Sequence, residues 1–195
     1  MSSGVTGVVA ASGRSVRMGA PKALLDAGGA TFLARILDSL REGGASPLLV
    51  VVEDPLGPIG AEARRRGGEV ILNPDPAQGP ISSLRAAIGA IPEEVAAILF
   101  CPVDHPLVRG ATVRALIEEF LRTRPPLLVP TFQGRRGHPV LLGRRLFPEL
   151  LADELPEGAR TVVRRYLHEG LQVPVDDPGI LADIDTPDDY RRHFT

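Results

Sequence analysis

The sequence predicts an α/β fold, in which a doubly wound, mostly parallel sheet carries helices on both faces. Short apolar segments of strand length alternate with helical segments over about the first 130 residues, and this alternation is typical of βαβ units. Right-handed crossovers then place helices on both faces of the sheet. The 195 residues contain no internal repeat or linker, so we expect a single domain over residues 1–195, since a domain usually has about 100–200 residues.

Each strand is predicted where a short apolar run is bounded by glycine, proline or polar residues. The first strand covers 7–11 and reads GVVAA. The other predicted strands are 48–52, 70–72, 95–100, 127–129, 139–142, 171–175 and 180–184. Doubly wound sheets bind their ligands outside the carboxyl ends of the strands. We therefore expect functional residues in the loops 12–22, 73–83, 102–106 and 183–189.

Helices are predicted from apolar residues spaced three and four apart and from capping residues. Thr31 caps the first helix, which Gly43 and Gly44 end. Thr186 caps the last helix, which has Pro187 at its first position, as helix starts prefer. The helices between them are predicted at 59–66, 82–91, 112–122, 146–151 and 160–167.

Composition excludes several functional classes. The net charge of −2 requires no basic face, so we do not expect a nucleic-acid partner. Cys101 is the one cysteine, which rules out an intrachain disulfide framework and a cysteine-rich zinc site; at the end of a buried strand it is expected in the core. No signal peptide or apolar run of about 18 residues is visible, so we expect a cytoplasmic protein with no membrane partner.

Lysine use is unusual in this chain. Only one of the 22 basic residues is a lysine, Lys22, and all the others are arginine. A chain that replaces lysine almost everywhere could retain it where arginine does not fit, although a lone lysine can also stand at its position by chance. The two side chains differ physically, because an ammonium is a compact point charge and a guanidinium is a planar fork.

The loop after the first strand has the composition of a phosphate-binding loop. Glycines allow backbone N–H groups to approach phosphate oxygens, and cations neutralise the phosphate charge. The loop combines the residues Ala11, Ser12, Gly13, Arg14, Ser15, Arg17, Gly19 and Lys22. It lacks the Gly-Lys-Ser/Thr of a Walker loop and the spacing of a dinucleotide-binding loop. The alternative interpretation is a solvated surface loop.

Three aspartates are candidates for a metal site. Asp104 follows the predicted fourth strand, and Mg²⁺ binds one or two carboxylates together with substrate phosphates. Asp183 and Asp185 alternate along the predicted strand 180–184 and would share one of its faces. The alternatives are a turn or helix cap at Asp104 and a cap of the last helix by Asp183 or Asp185.

Two histidines, His105 and His138, follow or begin predicted strands. Either side chain could contact a substrate, but an isolated histidine more often has a structural role. The four histidines are scattered, and no serine, histidine and aspartate spacing suggests a catalytic triad.

Several segments together resemble one enzyme superfamily. Residues 11–25 read ASGRSVRMGAPKALL, which resembles the signature of nucleotidyltransferases. Residues 104–106 (DHP) resemble the metal-binding Asp-x-Pro of these enzymes, and 79–84 (GPISSL) resemble their base-and-ribose segment. Segments similar to the molybdenum cofactor cytidylyltransferase branch are 134–140 (GRRGHPV), 158–160 (GAR) and 183–190 (DIDTPDDY). The resemblance implies a Rossmann-like domain of the nucleotide-diphospho-sugar transferase type.

Two positions depart from the pattern of that branch. Ser12 stands where the family usually has alanine or glycine, close to the nucleotide base. Residues 79–81 (GPI) are more similar to the guanylyltransferase branch. The resemblance therefore leaves both CTP and GTP open as donors.

The activity implied by the resemblance is transfer of a nucleoside monophosphate to a phosphorylated acceptor, foremost molybdopterin, with Mg²⁺ as cofactor and release of pyrophosphate. Sugar phosphates, methylerythritol phosphate and phospholactate are alternative acceptors, and a non-catalytic nucleotide-binding module is the alternative of another class. A molybdoenzyme or its chaperone is a possible partner.

The resemblance also assigns roles to individual residues. Lys22, Arg17 and Asp104 are the expected catalytic residues, and Asp104 holds Mg²⁺ together with Asp185 or Asp183. Arg136 and His138 are expected on the acceptor side. The expected nucleotide-binding residues are Ala11, Ser12, Gly13, Arg14, Ser15, Asn73, Gly79, Ser82 and Ser83.

Overall fold

The fold is a mixed, mostly parallel sheet with helices on both faces. The computed structural model describes residues 4–13 and 18–194. The strands are β1 (Val5–Ala10), β2 (Leu48–Val52), β3 (Glu69–Leu72), β4 (Ala97–Pro102), β5 (Leu127–Phe132), β6 (Arg135–Arg136), β7 (Val140–Gly143) and β8 (Leu171–Pro174). Their order is β3-β2-β1-β4-β7-β5-β6, and β8 pairs with β5.

Strand direction is parallel in the first half of the chain and mixed in the second. β1 pairs in parallel with β2 and β4, and β2 pairs in parallel with β3. β7 lies antiparallel between β4 and β5, whereas β8 is parallel to β5. Because β2 and β4 lie on opposite sides of β1, the direction of winding reverses between β1 and β4. This switch point is where doubly wound sheets form their ligand crevice.

The helices form one layer on each face of the sheet. They are α1 (Phe32–Glu42), α2 (Pro58–Arg65), α3 (Pro80–Ala90), α4 (Gly110–Thr123), α5 (Phe147–Leu150), α6 (Ala159–Tyr166) and α7 (Pro187–Phe194). α1, α2 and α4 contribute to the apolar cluster that contains Val5 and Val9 of β1. α3, α5 and α6 contribute to the cluster that contains Val8. Side chains alternate between the faces of a strand, so β1 is buried on both, and the predicted doubly wound architecture is confirmed.

The predicted helix caps are also confirmed. Thr31 Oγ1 accepts a hydrogen bond from Ala34 N at 3.1 Å, which caps α1. At α7, Thr186 Oγ1 accepts from Asp189 N at 3.2 Å, and Asp189 Oδ2 accepts from Thr186 N at 2.9 Å. These reciprocal bonds have the pattern of a capping box and fix the start of α7.

The predicted strand 180–184 is wrong. Residues Pro178–Leu181 form a 3₁₀ turn, and the chain continues to α7 outside the sheet. The buried Asp177 side chain accepts from Gly179 N at 2.9 Å and begins this turn. The backbone groups that a strand would use are occupied by two loops, since Ile180 O accepts from His138 N and Ile184 N donates to Asp104 O.

Cys101 is 1% exposed in β4, and burial raises the pKa of its thiol above the usual range, so its predicted core position is confirmed. Among residues 4–13 and 18–194, no helix combines the length and apolar character needed to cross a bilayer.

Candidate functional site

The candidate site lies at the carboxyl ends of β1 and β4, next to the switch point of the sheet. Ala11 and Ser12 directly follow β1, and Asp104 and His105 follow β4. Lys22 begins a short 3₁₀ turn, Lys22–Leu24, and is only 8% exposed. The described part of the loop after β1 therefore returns to the end of the strand and places a buried cation beside Asp104.

Lys22 is held by two carboxylates from distant parts of the chain. Its Nζ donates a hydrogen bond to Asp185 Oδ1 and forms an ion pair with it. The same nitrogen lies 3.7 Å from Asp104 Oδ2. Burial raises the pKa of Asp104 above its usual value even though the positive charge of Lys22 acts in the opposite direction. The site thus places an ammonium between two acidic side chains.

A second group of side chains has the donor set of a divalent-cation site. Asp104, His105 and Asp183 each offer one ligand atom, and these atoms all lie within 4.8 Å of one another. Asp104 Oδ1 is buried and has no hydrogen-bond partner among the described residues. Desolvation, followed by the negative charges of Asp104 and Asp185, raises the pKa of Asp183 to about 6. A bound cation would relieve both features, so the residues fit the expected metal.

The third aspartate has a different environment. Asp185 is hydrogen-bonded to Lys22, and it is not one of the three residues whose possible ligand atoms lie within 4.8 Å of one another. The two late aspartates flank Ile184, which is fully buried and donates its backbone N–H to Asp104 O at 2.9 Å. This anchor holds Asp183 and Asp185 against the loop after β4 although they do not share a strand.

The structure also brings together two histidines, His105 and His138, that were not expected from the sequence to be in contact. The rings of His105 and His138 have centroids 4.7 Å apart. Burial, followed by the charge of Lys22, lowers the pKa of His105 to about 4. Burial, followed by the charges on His105 and Arg160, lowers the pKa of His138 to about 3. Both imidazoles are therefore neutral near pH 7.

His138 is fixed by the backbone around it. Its N–H donates to Ile180 O at 3.0 Å, and the preceding Gly137 donates to Pro130 O at 3.0 Å. A Cβ at Gly137 would lie 2.2 Å from Ile180 O, so only glycine allows this close approach. The segment 137–139 is thereby held against the 178–181 turn and beside His105.

A buried polar network links the end of β1 to the start of α3. Asn73 Nδ2 lies within donor distance of Ser12 Oγ (2.9 Å), Ser82 Oγ (2.9 Å) and Ser83 Oγ (3.2 Å). Ser12 Oγ and Ser83 Oγ are also hydrogen-bonded at 2.9 Å. Ser82 Oγ donates to Gly79 O at 2.7 Å, where α3 begins. Four of the predicted nucleotide-binding residues therefore form one rigid cluster.

The remaining predicted site residues differ in their exposure and location. Ala11 is buried and donates its N–H to Val51 O, whereas Gly13 is exposed. Gly79 has a positive φ of 75° and precedes Pro80, the first residue of α3. Arg136 is exposed on β6. Arg14, Ser15 and Arg17 lie outside the described residues.

Sequence reasoning missed two relationships in this site. It did not group His105 with Asp104 and Asp183, although the residue directly follows Asp104 and precedes a proline. It also did not identify Asn73 as the centre of the serine network. The signal for Asn73 was its position at the carboxyl end of the third predicted strand, on the same edge of a doubly wound sheet as the first strand's loop.

Comparison with known proteins places this site in a family. Residues 7–170 match the model of the MobA-like NTP transferase domain. The chain is 25% identical over 188 residues to the molybdenum cofactor cytidylyltransferase of Escherichia coli (strain K12), covering 94% of this chain and 92% of that protein. It is 31% identical over 184 residues to the molybdenum cofactor guanylyltransferase of Sinorhizobium fredii (strain NBRC 101917 / NGR234), covering 90% and 79%.

A solved structure is similar to this chain along nearly its whole length. The manganese complex of Rv0371c from Mycobacterium tuberculosis H37Rv has a TM-score of 0.75 to this chain at 30% identity, with 97% of each chain covered. The fold and the matching family model define the class of protein as a nucleotidyltransferase. The chain belongs to the MobA-like NTP transferase family.

Proposed function

We propose that this nucleotidyltransferase moves a nucleoside monophosphate from CTP or GTP to a phosphorylated acceptor of the molybdopterin type, with Mg²⁺ or a similar divalent cation as cofactor. The observation that carries the proposal is the buried Lys22 between Asp185 and Asp104 at the switch point of the sheet. The names of the relatives, one a cytidylyltransferase and one a guanylyltransferase for molybdenum cofactor, support this acceptor class.

The reaction needs no nucleophile from the protein. An oxygen of the acceptor phosphate attacks the α-phosphorus of the nucleotide, forming a new P–O bond while the bond to the β-phosphate oxygen breaks and pyrophosphate leaves. An acceptor phosphate is already anionic near neutral pH, so catalysis consists of positioning and charge neutralisation. The compact ammonium of Lys22 contacts both the α-phosphate and the acceptor oxygen, and Asp185 holds it in that position.

Other residues bind the two substrates. Asp104 and Asp183 hold the cation, which supplies Lewis-acid stabilisation to the phosphate oxygens when bound. Arg17, Arg14 and Ser15, with the amides of the loop after β1, bind the β- and γ-phosphates. Base and ribose lie against the network described above, formed by Ser12, Asn73, Ser82 and Ser83. His138 and Arg136 face the acceptor.

A pyrophosphate-release assay tests this proposal. Purified protein is incubated with CTP or GTP, with and without molybdopterin, in the presence of Mg²⁺ or Mn²⁺. We expect release that depends on molybdopterin, on the cation and on Lys22, so that Lys22→Ala is inactive. Release with a sugar phosphate, methylerythritol phosphate or phospholactate instead would reassign the acceptor.

The competing outcome is a binding module without activity. Tight nucleotide binding without pyrophosphate release, with either nucleotide and the whole acceptor panel, would support that module and contradict the proposal. A molybdoenzyme or its chaperone is the proposed recipient of the product, and co-purification from a cell that makes molybdoenzymes tests this partner separately.

A further inference from the structure

We infer that His105 is a direct ligand of the divalent cation, which gives the site two carboxylates and one imidazole and a preference for Mn²⁺ over Mg²⁺. This inference rests on the proposed function, because it concerns the cation of the same site. It goes beyond that function by assigning a nitrogen ligand. It also separates the roles of the two late aspartates, with Asp183 in the cation site and Asp185 bound to Lys22.

The first observation is a pair of buried polar atoms without partners. The His105 side chain is 9% exposed, and its Nδ1 has no hydrogen-bond partner among the described residues. Asp104 Oδ1, which faces the other ring nitrogen Nε2, is also buried and without a partner in this part of the chain. Native structures pair nearly all buried polar atoms, and an exception indicates an ion or a function.

The two side chains do not satisfy each other. His105 Nε2 lies 3.8 Å from Asp104 Oδ1, which is too long for a hydrogen bond. Neighbouring ligands of an octahedral cation lie about 3 Å apart and opposite ligands about 4.2 Å apart, since each is about 2.1 Å from the ion. The ligand atoms of Asp104, His105 and Asp183 lie within 4.8 Å of one another, so a single cation can contact all three.

Asp104 divides its two oxygens between different partners. Oδ2 faces Lys22 Nζ at 3.7 Å, and Oδ1 faces His105. Lys22 in turn is bound to Asp185. The ammonium therefore lies on one side of Asp104, and the cation would occupy the opposite side with His105 and Asp183. This arrangement places two positive charges around one carboxylate without direct competition.

His138 acts as a positioning residue for this ligand. Its ring lies 4.7 Å from that of His105, measured between centroids, and its backbone is fixed by the bond to Ile180 O. The packing limits rotation of the His105 ring.

The donor set determines the expected selectivity. Mg²⁺ prefers oxygen ligands and keeps several waters, whereas Mn²⁺ is a transition-metal cation that accepts an imidazole nitrogen beside carboxylate oxygens. A site with one histidine and two aspartates should therefore bind Mn²⁺ more tightly than Mg²⁺. Replacing the imidazole by an amide should remove most of that difference and leave Mg²⁺ binding nearly unchanged.

The test is pulsed electron paramagnetic resonance of Mn²⁺ bound to the full chain without nucleotide. We expect ¹⁴N modulation from a directly bound nitrogen, and labelling the histidines with ¹⁵N should shift it. His105→Asn should lose the modulation and weaken Mn²⁺ binding by at least the roughly 10-fold that loss of even an outer-shell residue typically causes, with a much smaller change for Mg²⁺. His168→Ala, at an exposed histidine, is the matched control and should retain the wild-type spectrum.

Bound Mn²⁺ without nitrogen modulation in the wild-type protein would overturn the inference, and so would an unchanged ratio of Mn²⁺ to Mg²⁺ affinity in a folded His105→Asn variant. If that variant does not fold, the isotope shift in the wild-type protein decides alone. Pyrophosphate release that depends on a cation, but without nitrogen modulation, would reject the histidine ligand and retain the proposed function. Absence of Mn²⁺ binding with absence of turnover would reject both.

Discussion

Lys22 and Asp185 form an ion pair in the crevice although 163 residues separate them in the sequence. The pair connects the loop after β1 to the segment that leads into α7. Lys22 is only 8% exposed, and a buried cation is stable only where it is paired. The lone lysine of an arginine-rich chain is thus buried between two carboxylates of the site, those of Asp185 and Asp104.

The first prediction concerns this choice of lysine. Lys22→Arg should lower the rate of pyrophosphate release by about 10²–10³-fold, as loss of one contact to a developing charge usually does. The guanidinium retains the positive charge but is a wide planar fork, which does not fit between two carboxylates and the reacting phosphates. Arg122→Lys, at an exposed residue of α4, is the reverse control and should be neutral. Full activity of Lys22→Arg would show that the lysine is there by chance.

The second prediction separates the two late aspartates. Asp185→Asn removes the partner of Lys22 and should lower turnover, but it should reduce cation affinity much less than loss of a ligand does, because Asp185 is not one of the three grouped residues. Asp183→Asn should weaken cation binding instead. Isothermal titration with Mn²⁺ measures both variants beside the wild type. Equal loss of cation affinity in the two variants would show that both aspartates are ligands.

The third prediction concerns Asp104, the carboxylate that lies between the Lys22 ammonium and the proposed divalent cation. Asp104→Ala should remove cation binding and lower turnover by about 10²–10³-fold, and the fold should remain intact because Asp104 lies in a loop after β4. Circular dichroism checks the fold, and a titration of turnover with Mg²⁺ checks the site. Near-normal turnover at saturating Mg²⁺ would contradict the assignment of Asp104 to the metal.

Much of the fold could be predicted because its signals are local. The apolar run of β2 covers the predicted residues 48–52, and the Thr31 cap of α1 forms as expected. These features depend on neighbours a few residues away. The predicted strand 180–184 failed for the opposite reason. Its alternating pattern was compatible with a strand. However, the backbones of Ile180 and Ile184 hydrogen-bond to His138 and Asp104, which are distant in sequence, so a pattern of neighbouring residues does not predict these contacts.

In the site, too, the sequence predicted which loops meet but not which side chains pair. The sequence indicated that the loops containing Lys22, Asp104 and Asp183 meet at the carboxyl edge of the sheet, and the structure places these three residues close together. The exact pairing depends on packing. Ile184 is fully buried, and this anchor directs its two acidic neighbours to different partners. The contact of His105 with His138 likewise requires the turn at 178–181, which the sequence did not predict.

The fourth prediction uses the pKa of a buried glutamate in α2. Glu62 is 6% exposed and accepts hydrogen bonds from Thr31, Arg65 and Arg66. Burial alone would raise the pKa of Glu62, but these bonds outweigh it and lower the pKa below 4.5. Glu62→Gln should therefore lower the free energy of unfolding near pH 7 by about 1.5–3 kcal/mol, the range for hydrogen bonds to a charged group.

The effect of this substitution should depend on pH. A depressed folded-state pKa stabilises the protein above the unfolded-state pKa, and this contribution is lost as the pH falls through the folded-state value. The difference between wild type and Glu62→Gln should hence be full above about pH 5 and shrink below 4.5. Urea unfolding at pH 7 and at pH 3.5 measures it. Glu118→Gln, at an exposed position of α4, should show little difference at either pH.

The last prediction concerns the choice of nucleotide. Ser12 stands close to the expected base, where a hydroxyl could select between cytosine and guanine, but its Oγ is hydrogen-bonded to Ser83 Oγ and to Asn73 Nδ2 at 2.9 Å each. The hydroxyl is therefore committed to holding the end of β1 against α3. Ser12→Ala should lower the free energy of unfolding by about 1–3 kcal/mol, because it leaves buried polar atoms without a partner.

The same variant should change the ratio of kcat/KM for CTP and GTP by less than about threefold, since a hydroxyl whose hydrogen bonds are made to Ser83 and Asn73 has none left to distinguish the two bases. Ser46→Ala, at a serine that precedes β2, is the control for loss of a hydroxyl. Measuring kcat/KM for CTP and for GTP with each variant tests whether Ser12 contributes to the choice of nucleotide. A tenfold or larger change in the ratio for Ser12→Ala would mean that Ser12 leaves the Asn73 network when nucleotide binds and reads the base directly.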